Sequence, residues 1–193
     1  MTGLKQLVLT TRSYRRFDSS LKLKSEELIE LVKLTRFTGS AANLQPLKYI
    51  VSTNPGTNRT IYQNLSWAGY LNNWNGPVEN ERPAGYIVIL TDTNIRENAD
   101  IDIGLSAQTI LLAASERGLG GCMFASIQRD TLTKLFAIPQ NLKISLIIAL
   151  GKPLEKVVIE DAEPGSSIKY YRDKESVHHV PKRTLEEILF KVY

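Results

Sequence analysis

A single cysteine, Cys122, stands among the 193 residues, so an intrachain disulfide is impossible and a cysteine-built metal cluster is excluded. Histidine is nearly as scarce, with only the adjacent pair His178 and His179. Neighbouring side chains of a strand point to opposite faces, and no set of acids or cysteines lies near the pair at ligand spacing, so no metal site is expected. No apolar run is long enough to cross a bilayer, and Met1 to Thr11 lacks the layout of a secretory leader. A cytoplasmic setting with no membrane partner is the expectation. Neither sign of charge dominates: 24 Lys and Arg face 20 Asp and Glu, a net +4. An excess this small does not make a nucleic-acid surface. It lies in the first 36 residues, where Lys5, Arg12, Arg15, Arg16, Lys22, Lys24, Lys33 and Arg36 outnumber Asp18, Glu26, Glu27 and Glu30. A local basic region suits a phosphate or another small anion. There is no Ser/His/Asp or Cys/His set for nucleophilic catalysis and no internal repeat.

What is present reads as one soluble domain over residues 1–193, with 42% hydrophobic and 23% charged residues. Leu4, Leu7 and Val8 space a short helix ending at Thr10-Thr11. Ser25 is placed to cap a helix running to about Phe37, with Glu26 and Glu27 in its first turn. Leu47 to Thr53 and Gly85 to Thr91 read as strands, the second fully buried. Asn54-Pro55-Gly56 reads as a turn and Thr57 to Leu65 as a helix. Asp100 to Arg117 is the strongest helix; it is apolar nearly all round, which predicts a buried one, with Gly118 as its C-cap. Asp130 is placed to cap a helix to about Ala137, and Ile144 to Leu150 is a further buried strand. Residues 154–176 read as loop. Thr184 caps a last helix with Leu185, Ile188 and Leu189 on one face. Strands separated by helices give an α+β, or mixed α/β, layered fold.

Three stretches carry possible chemistry. In Arg12-Ser13-Tyr14-Arg15-Arg16, three guanidiniums and a hydroxyl are concentrated within five residues. Arginine grips phosphate through a planar fork, and in an extended segment Ser13 and Arg15 share a face. The alternative is a solvated basic turn. In Thr38 to Pro46, the polar residues Ser40, Asn43 and Gln45 suit either a helix end followed by a turn or the edge of a planar heterocycle, because amides offer donors and acceptors together. Gly118 to Ser126 is glycine-rich without being a Walker loop or a G-x-G-x-x-G turn, and its glycines would let the backbone run close under a ligand. Trp67, Tyr70, Leu71 and Trp74, mixed with Asn72, Asn73, Asn75 and Gly76, either anchor a loop to the core or cover a flat substrate.

Taken together and in order, these motifs resemble the flavin-dependent nitroreductase family. They are Arg12-Ser13-x-Arg15-x-Phe17, Ser40-Ala41-x-Asn43-x-Gln45-Pro46, Asp102-Ile103-Gly104-Leu105-Ser106-Ala107-Gln108 with Gly118-Leu119-Gly120, Leu150-Gly151-Lys152-Pro153, and Lys182-Arg183. The family often has Pro at the place of Gly39 and Trp at that of Leu47. The resemblance implies a central, mostly antiparallel sheet flanked by helices, a homodimer, and FMN as cofactor. Arg12, Ser13 and Arg15 would grip the phosphate and ribityl end, and Lys182 and Arg183 would complete the phosphate site. Ser40, Ala41, Asn43 and Gln45 would reach the FMN held mainly by the other subunit. Ala125 and Ser126 would bring main-chain N–H groups to the flavin N5 and O4 edge. Helix 100–117 would be the dimer helix, and Ile188 to Tyr193 a segment able to cross to the partner.

The implied activity is reduction of small-molecule acceptors such as nitroaromatics or quinones, with NADH or NADPH as donor and ping-pong kinetics through one shared pocket. No catalytic side chain is required, because the cofactor carries the redox chemistry. The alternatives are a flavoprotein of the same fold with another redox reaction, dehydrogenation or flavin breakdown, and a non-enzymatic module for an anionic partner.

Overall fold

The computed structural model describes residues 3–71 and 73–193. Asn72 lies outside them, as do Met1 and Thr2. The elements run α1 (Leu4–Thr10), α2 (Ser25–Thr35), β1 (Leu47–Ser52), α3 (Pro55–Gln63), β2 (Gly85–Asp92), α4 (Asp100–Glu116), β3 (Gly120–Phe124), α5 (Arg129–Leu135), β4 (Leu142–Gly151), β5 (Val157–Ala162), β6 (Tyr171–Arg172), β7 (His178–Arg183) and α6 (Leu185–Ile188). The main sheet is antiparallel with strand order β1-β2-β4-β3, and a small second sheet has order β5-β7-β6. This is the helix-flanked, mostly antiparallel α+β architecture that the motifs imply.

The two apolar runs become the two central strands, and their alternation sorts the core into two faces. Ile87 and Ile89 of β2 join Leu28 and Leu31 of α2, Ile110 and Ala114 of α4, and Ile148 and Leu150 of β4. On the other face, Tyr86, Val88 and Leu90 meet Ile61 of α3, Leu132 of α5, Trp67, Phe124 and Ile147. The continuous hydrophobicity of β2 and β4 therefore reflects burial on both sides of the sheet.

Several local expectations change. Asn54 is a helix cap instead of a turn residue: its side chain accepts from the Thr57 N–H, and Pro55 opens α3. A missing N–H costs nothing at the first helical position. Lys24 caps α2, Ser25 being its first residue, and the Glu27 carboxylate accepts the Lys24 N–H. Gln128 likewise stands at the cap that Asp130 was expected to fill. Residues 154–176, read as loop, contain β5 and β6. Helix α4 is only half buried in the chain: Ala107, Ile110 and Ala114 face the sheet, whereas Ile101 and Leu105 are exposed.

Gly118 has the expected left-handed backbone, with φ +72°. The next two glycines, read as a path under a ligand, instead lie within β3. A Cβ on Gly121 would come within 2.5 Å of the Ala149 carbonyl oxygen, and one on Gly120 within 2.5 Å of both Pro153 and Tyr14. They are required by close packing of protein against protein.

Candidate functional site

The segment after α1 is extended, as the sharing of a face by Ser13 and Arg15 requires. Ser13 forms a parallel bridge with Gly121 and Phe17 an antiparallel one with Pro153. The Tyr14 N–H donates to the Gly121 carbonyl at 3.0 Å. Fully buried Phe17 pins the far end. The basic segment is thus laid along β3 and directed by it.

Its three guanidiniums have different fates. Arg16 is committed to Glu81 through a forked pair, Nε to Oε2 at 2.7 Å and Nη2 to Oε1 at 2.6 Å, so it is a structural ion pair and leaves the set of phosphate donors. Arg12 donates from Nη2 to the Val8 carbonyl at 2.6 Å, while its Nε is buried without a protein partner. Arg15 donates from Nη1 to the Ser13 carbonyl at 3.2 Å and lies 3.3 Å from His178 Nε2. Its guanidinium also sits over the Tyr170 ring, 4.8 Å from the centroid. Tyr170 in turn packs on Tyr70 at 4.9 Å and on His178 at 5.2 Å.

Arg15 opens into a recess of about 150 Å³ whose walls include Ala125, Ser126, Ser66, Gly69 and Tyr170. Three of the expected residues, Arg15, Ala125 and Ser126, therefore meet. Ala125 and Ser126 are exposed at the end of β3, where the Ser126 carbonyl accepts the Ser66 N–H at 3.1 Å. That contact brings in residues 66–69, part of the aromatic stretch whose role the sequence leaves open. Cys122 is buried in the same wall, and burial pushes its thiol pKa up, so it is no nucleophile.

The loop 38–46 contributes nothing to that recess. Ser40 Oγ donates to the Asp102 carboxylate of α4 and accepts the Gln45 N–H at 2.9 Å. Ala41 is half-buried, and Asn43 and Gln45 are exposed, joined by Gln45 Nε2 donating to the Asn43 carbonyl at 3.1 Å. Ala42, Asn43 and Gln45 all have left-handed backbones, φ 51°, 54° and 52°. Non-glycine residues in that region cost on the order of 1–3 kcal/mol each and gather at functional sites. Lys182 and Arg183 are exposed at the far end of β7, with Arg183 3.4 Å from Glu187. Only the start of β7 reaches Arg15. Lys182 stands four strand residues beyond His178, about 13 Å along the strand. Within one chain, then, neither the amide loop nor the late basic pair joins Arg15.

Groups that the sequence does not assign to this site complete it. Glu155, almost wholly buried, accepts the Arg15 and Arg16 main-chain N–H groups and the Arg172 Nη2 at 3.0 Å. The two histidines do point apart. His178 is buried; burial, reinforced by Arg15 and Arg172, depresses its pKa to about 4 and keeps it neutral. Arg15 donates to Nε2, so the proton sits on Nδ1, which is buried without a protein partner. His179 instead lies between Asp173, at 2.9 Å from Nε2, and Glu160, on Nδ1. Asp173, then Glu160, raise its pKa.

These shifts have opposite signs in linkage. The His179 contribution is complete below the ordinary value of 6.5 and is lost as pH rises through its raised value; that of His178 is complete above 6.5 and is lost as pH falls toward 4. His179→Gln is therefore expected to lower the melting temperature most at the acid end of a profile taken from about pH 5 to 9, where the imidazolium contact is complete, and so to flatten the fall on its alkaline side. An unchanged alkaline side would show that the Asp173–His179–Glu160 contact contributes nothing.

Among the described residues no helix is long and apolar enough to span a membrane, and no cluster of His, Cys, Asp and Glu is arranged to hold a metal. The family model described as "Nitroreductase family" matches residues 8–152. A putative NADH dehydrogenase/NAD(P)H nitroreductase of Archaeoglobus fulgidus is 23% identical over 166 residues, covering 82% of this chain and 90% of that protein. The crystal structure of a nitroreductase family protein from Clostridium novyi superposes with TM-score 0.68 at 19% identity, covering 79% of this chain and 87% of that one. An FMN-dependent nitroreductase from Clostridium difficile superposes with TM-score 0.62 at 19% identity, covering 88% and 92%.

Proposed function

The chain belongs to the nitroreductase family, and from that membership we propose that it is an FMN-dependent oxidoreductase that uses NADH or NADPH to reduce nitroaromatic or quinone-like acceptors. The observation that carries this reading is Arg15, held between the Ser13 carbonyl, His178 and the Tyr170 ring in a recess that exposed Ala125 and Ser126 also line. The donor chemistry fits FMN. A forked cation suits the phosphate, the Arg12 Nε is a second donor buried without a protein partner, and main-chain N–H groups such as those of Ala125 and Ser126 would suit the electron-rich edge of a flavin. When bound, FMN would supply two-electron hydride chemistry through N5.

This chain's residues would bind and orient. Neutral His178 adds no repulsion beside Arg15 and accepts its N–H. Ser66, Gly69 and Tyr170 narrow access to water. A donor and an acceptor that use the same face in turn give ping-pong kinetics.

The recess of about 150 Å³ is too small for three fused rings, since ligand pockets run to roughly 300–1,000 Å³. A second copy of the chain would complete it, with Asn43 and Gln45 of the strained loop reaching across. Two observations support a homodimer. An apolar groove of about 470 Å³ lies between α1, α2 and α4, bordered by Leu4, Phe37 and Leu105, with Phe37 80% exposed. The C-terminal Leu185, Ile188, Phe190, Val192 and Tyr193 are all exposed, Phe190 at 97%. Exposed apolar surface of this density is what a partner copy would bury. Deleting residues 185–193 is expected to weaken self-association roughly tenfold or more and to lower flavin retention in parallel. Sedimentation velocity with absorbance at flavin wavelengths reads both; an unchanged dimer would remove the tail from the interface.

The reading itself is tested on the purified protein by its visible spectrum before and after reduced nicotinamide, with the released ligand weighed by mass spectrometry. A yellow protein that bleaches and yields FMN is expected. A colourless protein that also refuses added FMN would end it.

A further inference from the structure

A second cavity, of about 610 Å³, lies apart from the Arg15 recess and shares none of its residues. It is bounded by the start of α3, the turn Glu79–Arg82 and the beginning of β2. Two polar side chains in its wall have no protein partner for a buried atom. One is Tyr86, 1% exposed, whose hydroxyl bonds to nothing; the other is Arg82, whose Nε is buried and unpartnered. Both sit beside Tyr62: the Arg82 guanidinium lies over its ring at 4.1 Å, and the Tyr62 hydroxyl is already spent on the Pro77 carbonyl at 2.8 Å.

The chemistry of these groups is one-sided. A guanidinium N–H can only donate, and the Tyr86 phenol, which can donate or accept, has no protein acceptor for its O–H. Burying donors without acceptors is costly, so a wall that keeps two of them calls for oxygen from outside. Burial pushes the Tyr86 phenol pKa far up, so it remains a neutral donor. Lys22 and Arg59 also line the cavity, with Glu79 as the one acid, which leaves an excess of positive charge. Leu21, Pro83 and the ring of Tyr62 supply apolar surface for an organic body.

We propose that this cavity is a binding site for a small organic oxyanion, a phosphate- or carboxylate-bearing molecule of about nucleotide size, whose charged oxygens pair with Arg82 and Tyr86. The site is independent of flavin chemistry, and its occupant is held away from the redox centre.

Isothermal titration calorimetry on the full-length protein, carrying whatever flavin it retains, tests this with AMP, adenosine and 4-hydroxybenzoate. AMP or 4-hydroxybenzoate is expected to saturate below about 1 mM, and adenosine to bind at least tenfold more weakly than AMP. Binding by one of the two anions names the source of the oxyanion; binding by both assigns recognition to the charged group itself. Arg82→Gln and Tyr86→Phe should each weaken the anion at least about tenfold. Arg15→Ala should leave it unchanged, which separates this cavity from the flavin phosphate site. Tyr86→Phe has a further readout: removal of an unpartnered hydroxyl should leave the melting temperature of the free protein level or raise it, whereas a structural hydroxyl would lower it. Failure of both anions to saturate overturns the proposal. So does binding that survives both substitutions, or that disappears with Arg15→Ala.

Discussion

Glu155→Ala is expected to destabilise the protein by about 3–5 kcal/mol, the range for breaking a buried ion pair from one side. The Glu155 side chain has no exposure, and Arg172, its partner at 3.0 Å, has 15%. Its carboxylate also accepts the main-chain N–H groups of Arg15 and Arg16, so alanine would strand a buried guanidinium and two amide donors together. Arg172 also rests over the Trp74 ring at 4.7 Å, so its displacement would loosen the aromatic stretch 66–83. Urea unfolding should show the midpoint falling with the slope retained. Glu155→Gln, which keeps an acceptor for the amides but loses the charge, should fall between. A midpoint within experimental scatter of the parent for the alanine variant would mean that Arg172 and the arginine segment are held by other contacts.

Arg15→Ala should weaken FMN about 10- to 100-fold, the equivalent of one or two charge-assisted hydrogen bonds, with little change for riboflavin, which has no phosphate. Stability should fall by only about 1 kcal/mol, from the lost contact with the Tyr170 ring. Arg15→Lys should recover part of the loss, because a point charge replaces a fork. Arg16→Ala makes the contrast: its guanidinium is tied to Glu81, so it should cost stability and spare the FMN to riboflavin ratio. Fluorescence quenching of each flavin on titration separates these outcomes. Equal weakening of both flavins by Arg15→Ala would place Arg15 near the ring system instead of the phosphate.

The architecture was legible where burial writes a pattern. β2 and β4 are continuous apolar runs because both faces are covered, and α2 shows its buried Leu28 and Leu31 at helical spacing. The small sheet was not legible. β5 pairs in parallel with β7, Val157 opposite His178, and a partner some twenty residues away leaves no mark on Val157–Ala162 itself. Asn54-Pro55-Gly56 was misread because the same residues that make turns also open helices. At the site, Arg15 stood out by residue type, since guanidiniums beside a serine announce anion binding. Arg16 carried the same signal and belongs to Glu81, 65 residues away. Glu155 and Tyr170 did not stand out, being one of several acids and one of two adjacent tyrosines in a polar stretch. Their roles come from the fold, which brings 155 and 170–172 against residues 15 and 16.

The shallowness of the recess beneath Arg15 bears on how the protein behaves when scarce. If each copy supplies only part of the wall, FMN and self-association are thermodynamically linked, and the factor by which one tightens the other must be mutual. Dilution would then discharge the yellow colour without any unfolding, and saturating FMN would restore the paired state at concentrations where the empty chains drift apart.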